Sequence, residues 1–295
     1  MTFGSFIGRV QFWRTTRVRG IEGRCGMSML RGVLAGAFAL GLLGVSSGKA
    51  QDSGNLAQQA QNPIANLISV PFQNNTNFNV GPFDDEQNIL NIQPVIPFKL
   101  NEEWNLVTRW ILPVVYQPPV YQGDESDFGL GNFNPSFFFV NQVGPKLMIG
   151  AGPTFLLPTN TDRSLGPDKW GVGPTAAIVW TPGKWVVGAL VNNIWSVAGD
   201  SNEPDVNAFL LQYFVNYNLK HGWYLTSSPI ITANWEAPDD DQWTLPFGGG
   251  VGRVFKVGAQ PVNMSLSAYD NVIAPEGGPD WQLRFQVQLL FPTGG

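Results

Sequence analysis

From Trp281 to Phe291 apolar and polar residues alternate almost without exception. Trp281, Leu283, Phe285, Val287, Leu289 and Phe291 take one set of positions, Gln282, Arg284, Gln286 and Gln288 the other, and only Leu290 departs. Side chains of an extended chain point to opposite faces in turn, so this segment carries one apolar and one polar face. Its length suits a strand that crosses a bilayer at a tilt. A soluble sandwich could use the same pattern with its polar face in water. A membrane barrel would turn the apolar face to lipid and the glutamines to a lumen.

The same two faces recur upstream. Over 206–219, Phe209, Leu211, Tyr213, Val215, Tyr217 and Leu219 oppose Ala208, Gln212, Asn216 and Asn218. Over 223–235, Trp223, Leu225, Ile231, Ala233 and Trp235 oppose Tyr224, Thr226, Ser228, Thr232 and Asn234. In 104–117 Arg109 is the only charge among apolar neighbours and is expected to point inward. In 242–255 Arg253 shares its parity with Trp243, Leu245 and Phe247, which a bulge at Gly248-Gly249-Gly250 would explain.

Turn-forming breaks divide the chain. Five are short: Lys99–Glu103, Gln142–Pro145, Thr181–Lys184, Lys220–Gly222 and Lys256–Gln260. Six are longer: Val80–Gln87, Pro118–Asp127, Pro158–Asp168, Gly199–Asp205, Ala237–Asp241 and Asn271–Asp280. Short and long alternate and bound twelve segments rich in β-branched and aromatic residues. An even count, with short turns at one end and long loops at the other, predicts an all-β fold: a transmembrane antiparallel up-and-down β-barrel of about 12 strands. The tryptophans agree. Trp104, Trp180, Trp185 and Trp223 flank short turns, and Trp170, Trp195, Trp235, Trp243 and Trp281 flank long loops, as two interfacial girdles would require. Only Trp110 lies well inside a segment.

Proline argues the other way. Pro94, Pro113, Pro135, Pro153, Pro174, Pro229 and Pro246 fall inside segments, although proline cannot donate to a ladder and a closed barrel has no edge to place it on. A band of bulges near mid-height is expected, eased by Gly152, Gly173 and Gly248, which could pinch the lumen or open a sideways path to lipid.

The first 50 residues read differently. Arg9, Arg14, Arg17, Arg19, Arg24 and Arg31 precede an apolar run from Val33 to Val45, and Gly48-Lys49-Ala50 supplies a small-residue cleavage site. Residues 1–50 therefore read as a secretory signal peptide, with Met27 or Met29 as possible starts; the alternative is an uncleaved membrane anchor. Its removal takes seven of the 17 basic and one of the 22 acidic residues and leaves a net charge of about −11. That acidity argues against nucleic acid as a partner, since phosphate binding calls for basic patches. The only cysteine, Cys25, leaves too, so the exported chain needs no disulfide. Residues 51–64 are polar with Leu56, Ala57 and Ala60 at helical spacing; a periplasmic helix, a lumenal segment and disorder all remain open. The barrel is assigned to 65–295.

Acidic residues gather in the long breaks, while each short break carries or adjoins a lysine: Lys99, Lys146, Lys184, Lys220 or Lys256. The acidic rim could bind divalent cations that bridge surface glycolipid, or favour cationic solutes. Catalytic chemistry has little to stand on. His221, the sole histidine, sits in a short turn away from serine and acid partners on the long-loop half. No Cys-His spacing suggests a metal, Asp239-Asp240-Asp241 reads as a solvated loop tip, and no phosphate loop or cofactor motif is present. No catalytic, cofactor or metal site is expected, and the protein is read as not an enzyme.

Several stretches carry a family resemblance: Asn62-Pro-Ile-Ala-Asn-Leu-Ile-Ser-Val-Pro-Phe-Gln-Asn-Asn75, Leu90-Asn-Ile-Gln-Pro-Val-Ile-Pro97, Phe128-Gly-Leu-Gly-Asn-Phe-Asn-Pro135, Gly150-Ala-Gly-Pro-Thr-Phe155 and Leu289-Leu-Phe-Pro292. They resemble bacterial outer-membrane proteins assigned to the meta pathway of phenol degradation, whose members also carry the labels transporter and neuromedin U. The resemblance covers nearly all of the exported chain. It implies a barrel in the outer membrane of a Gram-negative bacterium and uptake of aromatic or other small compounds. One departure is the end: Pro-Thr-Gly-Gly follows Phe291, which moves the barrel-assembly signal inward.

The expected function is therefore a channel for passive passage of small molecules. Asn91, Gln93, Arg109, Gln212, Asn216, Arg284, Gln286 and Gln288 are the candidate lumen residues, and Arg109 and Arg284 would bias the interior toward anions. The expected partners are outer-membrane lipid and lipopolysaccharide, a small-molecule solute and the barrel-assembly machinery. The alternative is a closed structural or adhesive barrel whose acidic loops bind a partner. A third reading is a secreted soluble β protein.

Overall fold

The computed structural model describes residues 50–119, 123 and 125–292. Residues 1–49, on which the expected signal peptide and Cys25 fall, lie outside the described residues.

Twelve strands form one antiparallel sheet. They are β1 (Ile68–Val80), β2 (Asp85–Ile92 and Val95–Lys99), β3 (Trp104–Gln117), β4 (Asp127–Leu130 and Asn134–Gln142), β5 (Leu147–Leu156) and β6 (Lys169–Trp180), then β7 (Trp185–Gly199), β8 (Asn207–Asn218), β9 (Trp223–Ser227 and Ile230–Asn234), β10 (Trp243–Val257), β11 (Gln260–Ile273) and β12 (Trp281–Phe291). Each pairs with its neighbour in sequence. β12 returns to β1, from Ile68 opposite Phe291 to Phe78 opposite Trp281, and the sheet closes. Closure gives every strand two partners and removes both edges, the only way a sheet can satisfy its backbone in hydrocarbon. No helix among the described residues is long and apolar enough to cross a membrane.

Alternation follows the sequence pattern. In β12 Arg284, Gln288 and Leu290 are buried inside, while Trp281, Phe285 and Phe291 are exposed outside. Phe247 (69% exposed), Ile178, Leu266 and Leu225 continue the outward apolar surface around the barrel. A water-soluble fold does not leave such a band uncovered, which excludes both the sandwich and the secreted soluble protein.

Two of the split strands keep their register across the break. Ile92 pairs with Leu112 and Val95 with Arg109, an equal advance on both strands across Gln93-Pro94. Ser227 pairs with Val215 and Ile230 with Gln212, again an equal advance across Ser228-Pro229. In β4 the count differs: Leu130 faces Val114 but Asn134 faces Ile111, so one extra residue bulges between them.

The band of proline bulges is thus uneven. Pro94 and Pro229 interrupt their strands and Pro246 adjoins a register shift, whereas Pro153 faces Pro174 within an unshifted ladder. At Gly173 a Cβ would collide with the carbonyl oxygen of Asn193, so glycine is required there by close approach of the neighbouring backbone.

The expected bulge at Gly248-Gly249-Gly250 is not present. β10 and β11 keep one register from Pro246 to Val257, and the shift lies between Leu245 and Pro246. Arg253 therefore keeps the outward parity of Phe247. It sits near the short-turn end with its guanidinium 5.2 Å from the Trp223 ring centroid and Nε donating to the His221 carbonyl at 3.4 Å. An outward arginine is tolerated at this height because its head reaches the interface.

Ahead of β1, residues Ala50–Ala60 form helix α1, so the segment read as helix, lumenal or disordered is helical first and lumenal after. Ala57, Ala65 and Leu67 pack on Tyr224, Val254 and Leu290 from the inner wall. Leu290, the one break in the alternation of β12, is fully buried beneath this segment. Ile64 is also fully buried, among the inward side chains Val95, Val107, Phe138, Leu190 and Phe214. The stretch before β1 therefore fills the short-turn end of the barrel.

Candidate functional site: the lumen

Inward positions divide the lumen into two walls. β3 to β8 supply the apolar wall on the short-turn half, with Val107, Phe138, Val140, Val179, Val186 and Leu190. β11, β12 and β1 supply a polar wall: Asn263, Ser267, Arg284, Gln288, Gln73 and Asn75 are all buried. Burial of polar groups is tolerable only with partners, and amides provide them here. Tyr224 Oη donates to Asn263 Oδ1 at 2.8 Å, and Asn263 Nδ2 donates to Gln288 Oε1 at 3.0 Å. Toward the long loops a relay of amides crosses four strands: Gln282 donates to Asn77 (2.8 Å), Asn77 to Gln87 (2.6 Å) and Gln87 to Gln117 (2.5 Å).

Between the walls lies a chamber of about 140 Å³. Ala60, Gln61, Asn62 and Pro63 form its floor. Gln61 and Asn218 exchange amide hydrogen bonds at 2.9 and 3.2 Å, Asn62 Nδ2 donates to Met148 Sδ at 3.1 Å, and Gln58 donates to the Gly183 carbonyl at 2.6 Å. These contacts tie the floor to β8, β5 and the turn after β6.

Of the candidate lumen residues, Gln93, Arg109, Gln212, Asn216, Arg284, Gln286 and Gln288 line this chamber. Asn91 lies opposite Gln73 in the ladder and so on the same inward face, outside the chamber lining. Arg284 is held on three sides: Nε donates to Asn75 Oδ1 at 2.9 Å, Nη1 to the Ser228 carbonyl at 2.7 Å and Nη2 to Gln282 Oε1 at 3.0 Å, with its guanidinium 4.8 Å from the Tyr269 ring centroid. Arg109 has one bond, from Nη2 to Gln93 Oε1 at 2.9 Å. Among the described residues, no acidic side chain lines the chamber.

Sequence reasoning missed Asn263, Ser265, Ser267 and Tyr269 on this wall. The signal was present: they alternate with Met264, Leu266 and Ala268 along β11. The floor is a different case, because seven residues between a helix and a strand carry no periodicity.

The tryptophans sit at the barrel ends. Trp104, Trp185 and Trp223 open strands and Trp180 closes one at the short-turn end. Trp243 and Trp281 open strands at the long-loop end, with Trp170, Trp195 and Trp235 nearby. All nine except half-buried Trp243 are exposed. Phe78 stacks on Trp281 at 4.0 Å, and Trp235 meets Trp243 edge-on at 5.3 Å. Trp110 also points outward. A polar cluster interrupts the outward apolar band on β1 and β2: Asn74, Thr76 and Asn88 satisfy one another at 2.8–3.3 Å.

The long loops after β5 and β7 are bound together by charge. Arg163 reaches Asp200 at 3.0 Å and Asp168 and Glu203 at 3.5 Å, and Lys169 Nζ reaches Asp205 at 3.1 Å. Hydrogen bonds from Lys169 and then Ser196 hold the Asp205 carboxyl below the usual carboxylate range. The Asn202 amide does the same for Asp200, and the Ser164 amide for Asp162. The loop after β5 lies along the bulge of β4, where Thr161 Oγ1 accepts from the Leu130 amide and Thr159 Oγ1 from the Phe133 amide. Leu165 is buried there. Asp239–Asp241 form a turn at a loop tip, and no cluster of three or more metal-ligating side chains occurs among the described residues. His221 lies in the turn between β8 and β9.

No family model matches the chain, and no curated protein matches it. Solved structures do. The NanC porin is 8% identical, over 77% of this chain and 100% of that one, with a TM-score of 0.48. Outer membrane phospholipase A from Escherichia coli is 13% identical, over 81% and 96%, with a TM-score of 0.43. The COG4313 outer membrane channel from Pseudomonas putida F1 is 20% identical, over 76% of this chain and 94% of that one, with a TM-score of 0.59, and with that structure the chain shares its fold.

Proposed function

We propose that the protein is an outer-membrane channel for passive passage of small molecules. The observation that carries this reading is a chamber lined largely by polar side chains inside a closed barrel whose outer surface is apolar. The fold shared with the COG4313 outer membrane channel supports the same location and role. Small aromatic compounds are the solute class that the sequence resemblance suggests. Lipid and lipopolysaccharide would surround the barrel, and the assembly machinery would insert it.

Passage cannot be a straight fall through the lumen, because residues 61–67 occupy the short-turn end. Solute flux therefore requires this segment to shift, or limits passage to what fits beside it. Liposome swelling and planar-bilayer conductance with purified protein test the reading. A folded protein that supports neither ion current nor solute flux would count against it.

The filled end favours one competitor, a closed structural or adhesive barrel whose acidic loops bind a partner. Deleting the loops after β5 and β7 separates the two. Loss of partner binding with permeability unchanged would favour adhesion; altered permeability favours a channel.

A further inference from the structure

We infer that Arg109 anchors a lumenal binding site for a small amphipathic organic carboxylate. The inference rests on the channel reading and adds a solute class to it.

The two arginines of the chamber are differently engaged. Arg284 spends its guanidinium on Asn75, Ser228 and Gln282 and lies over Tyr269, so its role is to hold the wall. Arg109 uses a single N–H, toward the neutral oxygen of Gln93. A guanidinium has five donors, so four of them have no protein acceptor among the described residues. Ladder partners Val95 and Ser136 fix the side chain on the inward face, and it lines the chamber.

The chamber also lacks a counter-charge among the described residues. Its lining holds two arginines and no aspartate or glutamate, and all four ion pairs of the described residues lie at the long-loop end. A cation away from bulk water without an opposing charge is unfavourable, and an entering anion relieves that cost. The planar fork of guanidinium matches two carboxylate oxygens better than it matches a spherical ion.

The surroundings select the remainder of the solute. Val95 and Phe214 line the same chamber and belong to the apolar cluster around Ile64, whereas Gln93 and Gln212 offer amides. A carboxylate on Arg109 would leave a compact apolar body against Val95 and Phe214.

Benzoate is the probe, and benzamide its uncharged isostere. Binding to the detergent-solubilised barrel is measured by calorimetry, and block of chloride current in planar bilayers. Benzoate is expected to bind at least about tenfold more tightly than benzamide, as a charge-assisted fork contact implies. Arg109→Gln is expected to remove that difference. Arg109→Lys keeps the charge without the fork; it should retain anion selectivity and weaken benzoate. Equal binding of benzoate and benzamide would overturn the site, as would full benzoate binding by Arg109→Gln or displacement of benzoate by equimolar chloride. Benzoate binding without any current would sink the channel reading and leave the site standing. Current without benzoate discrimination would do the reverse.

Discussion

Arg284 on β12 donates to the backbone carbonyl of Ser228 on β9 at 2.7 Å, although β10 and β11 lie between the two strands. The Ser228 amide donates to Tyr269 Oη on β11 at 3.2 Å. The ladder explains why lumen side chains serve this backbone. β9 pairs with β10 at Thr226–Gly250 and again at Thr232–Thr244, with no pairs between. Pro229 and Pro246 lie in that interval and neither has an N–H to give. Two side chains from strands two and three places along the sheet therefore supply what the neighbouring strand cannot.

Replacing Arg284 with alanine should open this seam. Hydrogen bonds to a charged group contribute about 1.5–3 kcal/mol each, so a loss of roughly 3 kcal/mol or more is expected. Tyr269→Phe, which removes one neutral bond, should cost only about 1 kcal/mol. Guanidinium unfolding in detergent gives the totals. Hydrogen exchange at Ser227–Ile231 shows whether the loss is local; protection there equal to wild type in Arg284→Ala would refute the strut.

The floor of the chamber gives a second expectation. Ile64→Ala should weaken its seat by about 2–4 kcal/mol, as for other buried large-to-small changes, and Ile64→Asp should expel it. Both should raise single-channel conductance and admit larger sugars in swelling assays, Ile64→Asp more. Barrel stability should change little, because the strands close without this segment. Unchanged conductance in Ile64→Asp would mean that the segment does not limit flow.

The outward face can be read by labelling. Single cysteines at Leu266, Phe285 and Ile178 should react with a lipid-soluble reagent delivered in the bilayer, and those at Gln286 and Gln288 only with a water-soluble one. Phe285→Arg should destabilise by about 2–4 kcal/mol, the cost of an arginine on the lipid face near the midplane. Water-soluble labelling of Phe285→Cys in intact vesicles would contradict the orientation.

Acid should loosen the bound loops. Asp162, Asp200 and Asp205 all have folded pKa values below the ordinary one, near 3.9. Their stabilisation is therefore complete above about pH 4 and lost as pH falls through the lowered values. Protection factors over 157–168 and 200–206, which correct for the pH dependence of intrinsic exchange, should fall below pH 4 while those of the strands hold. Arg163→Ala should show fast loop exchange already at pH 7. Equal protection factors at pH 7 and pH 3 would show that these carboxylates do not restrain the loops.

Much of the architecture follows from local rules. Trp281–Phe291 alternates because one side must be apolar and the other polar, and a period of two leaves no choice of face. The alternation of short and long breaks fixes the strand count, since adjacent strands joined by tight turns must run antiparallel. Chamber positions such as Gln212, Arg284 and Gln288 were legible for the same reason. Arg253 was misread because its parity, outward, looked wrong for a charge; only the position of Trp223 beside it shows how the charge is accommodated.

The sequence alone determined a barrel of about twelve strands and, where alternation is clean as in Trp281–Phe291, which side of a strand faces in, because both are properties of residues near one another in the chain. The tertiary structure decided the rest. That Leu290 breaks its pattern to receive a helix from the other end of the chain is a contact between residues more than two hundred positions apart. That Arg284 is bound on three sides while Arg109 keeps a free fork depends on which strands face each other across the lumen, and no periodicity encodes that.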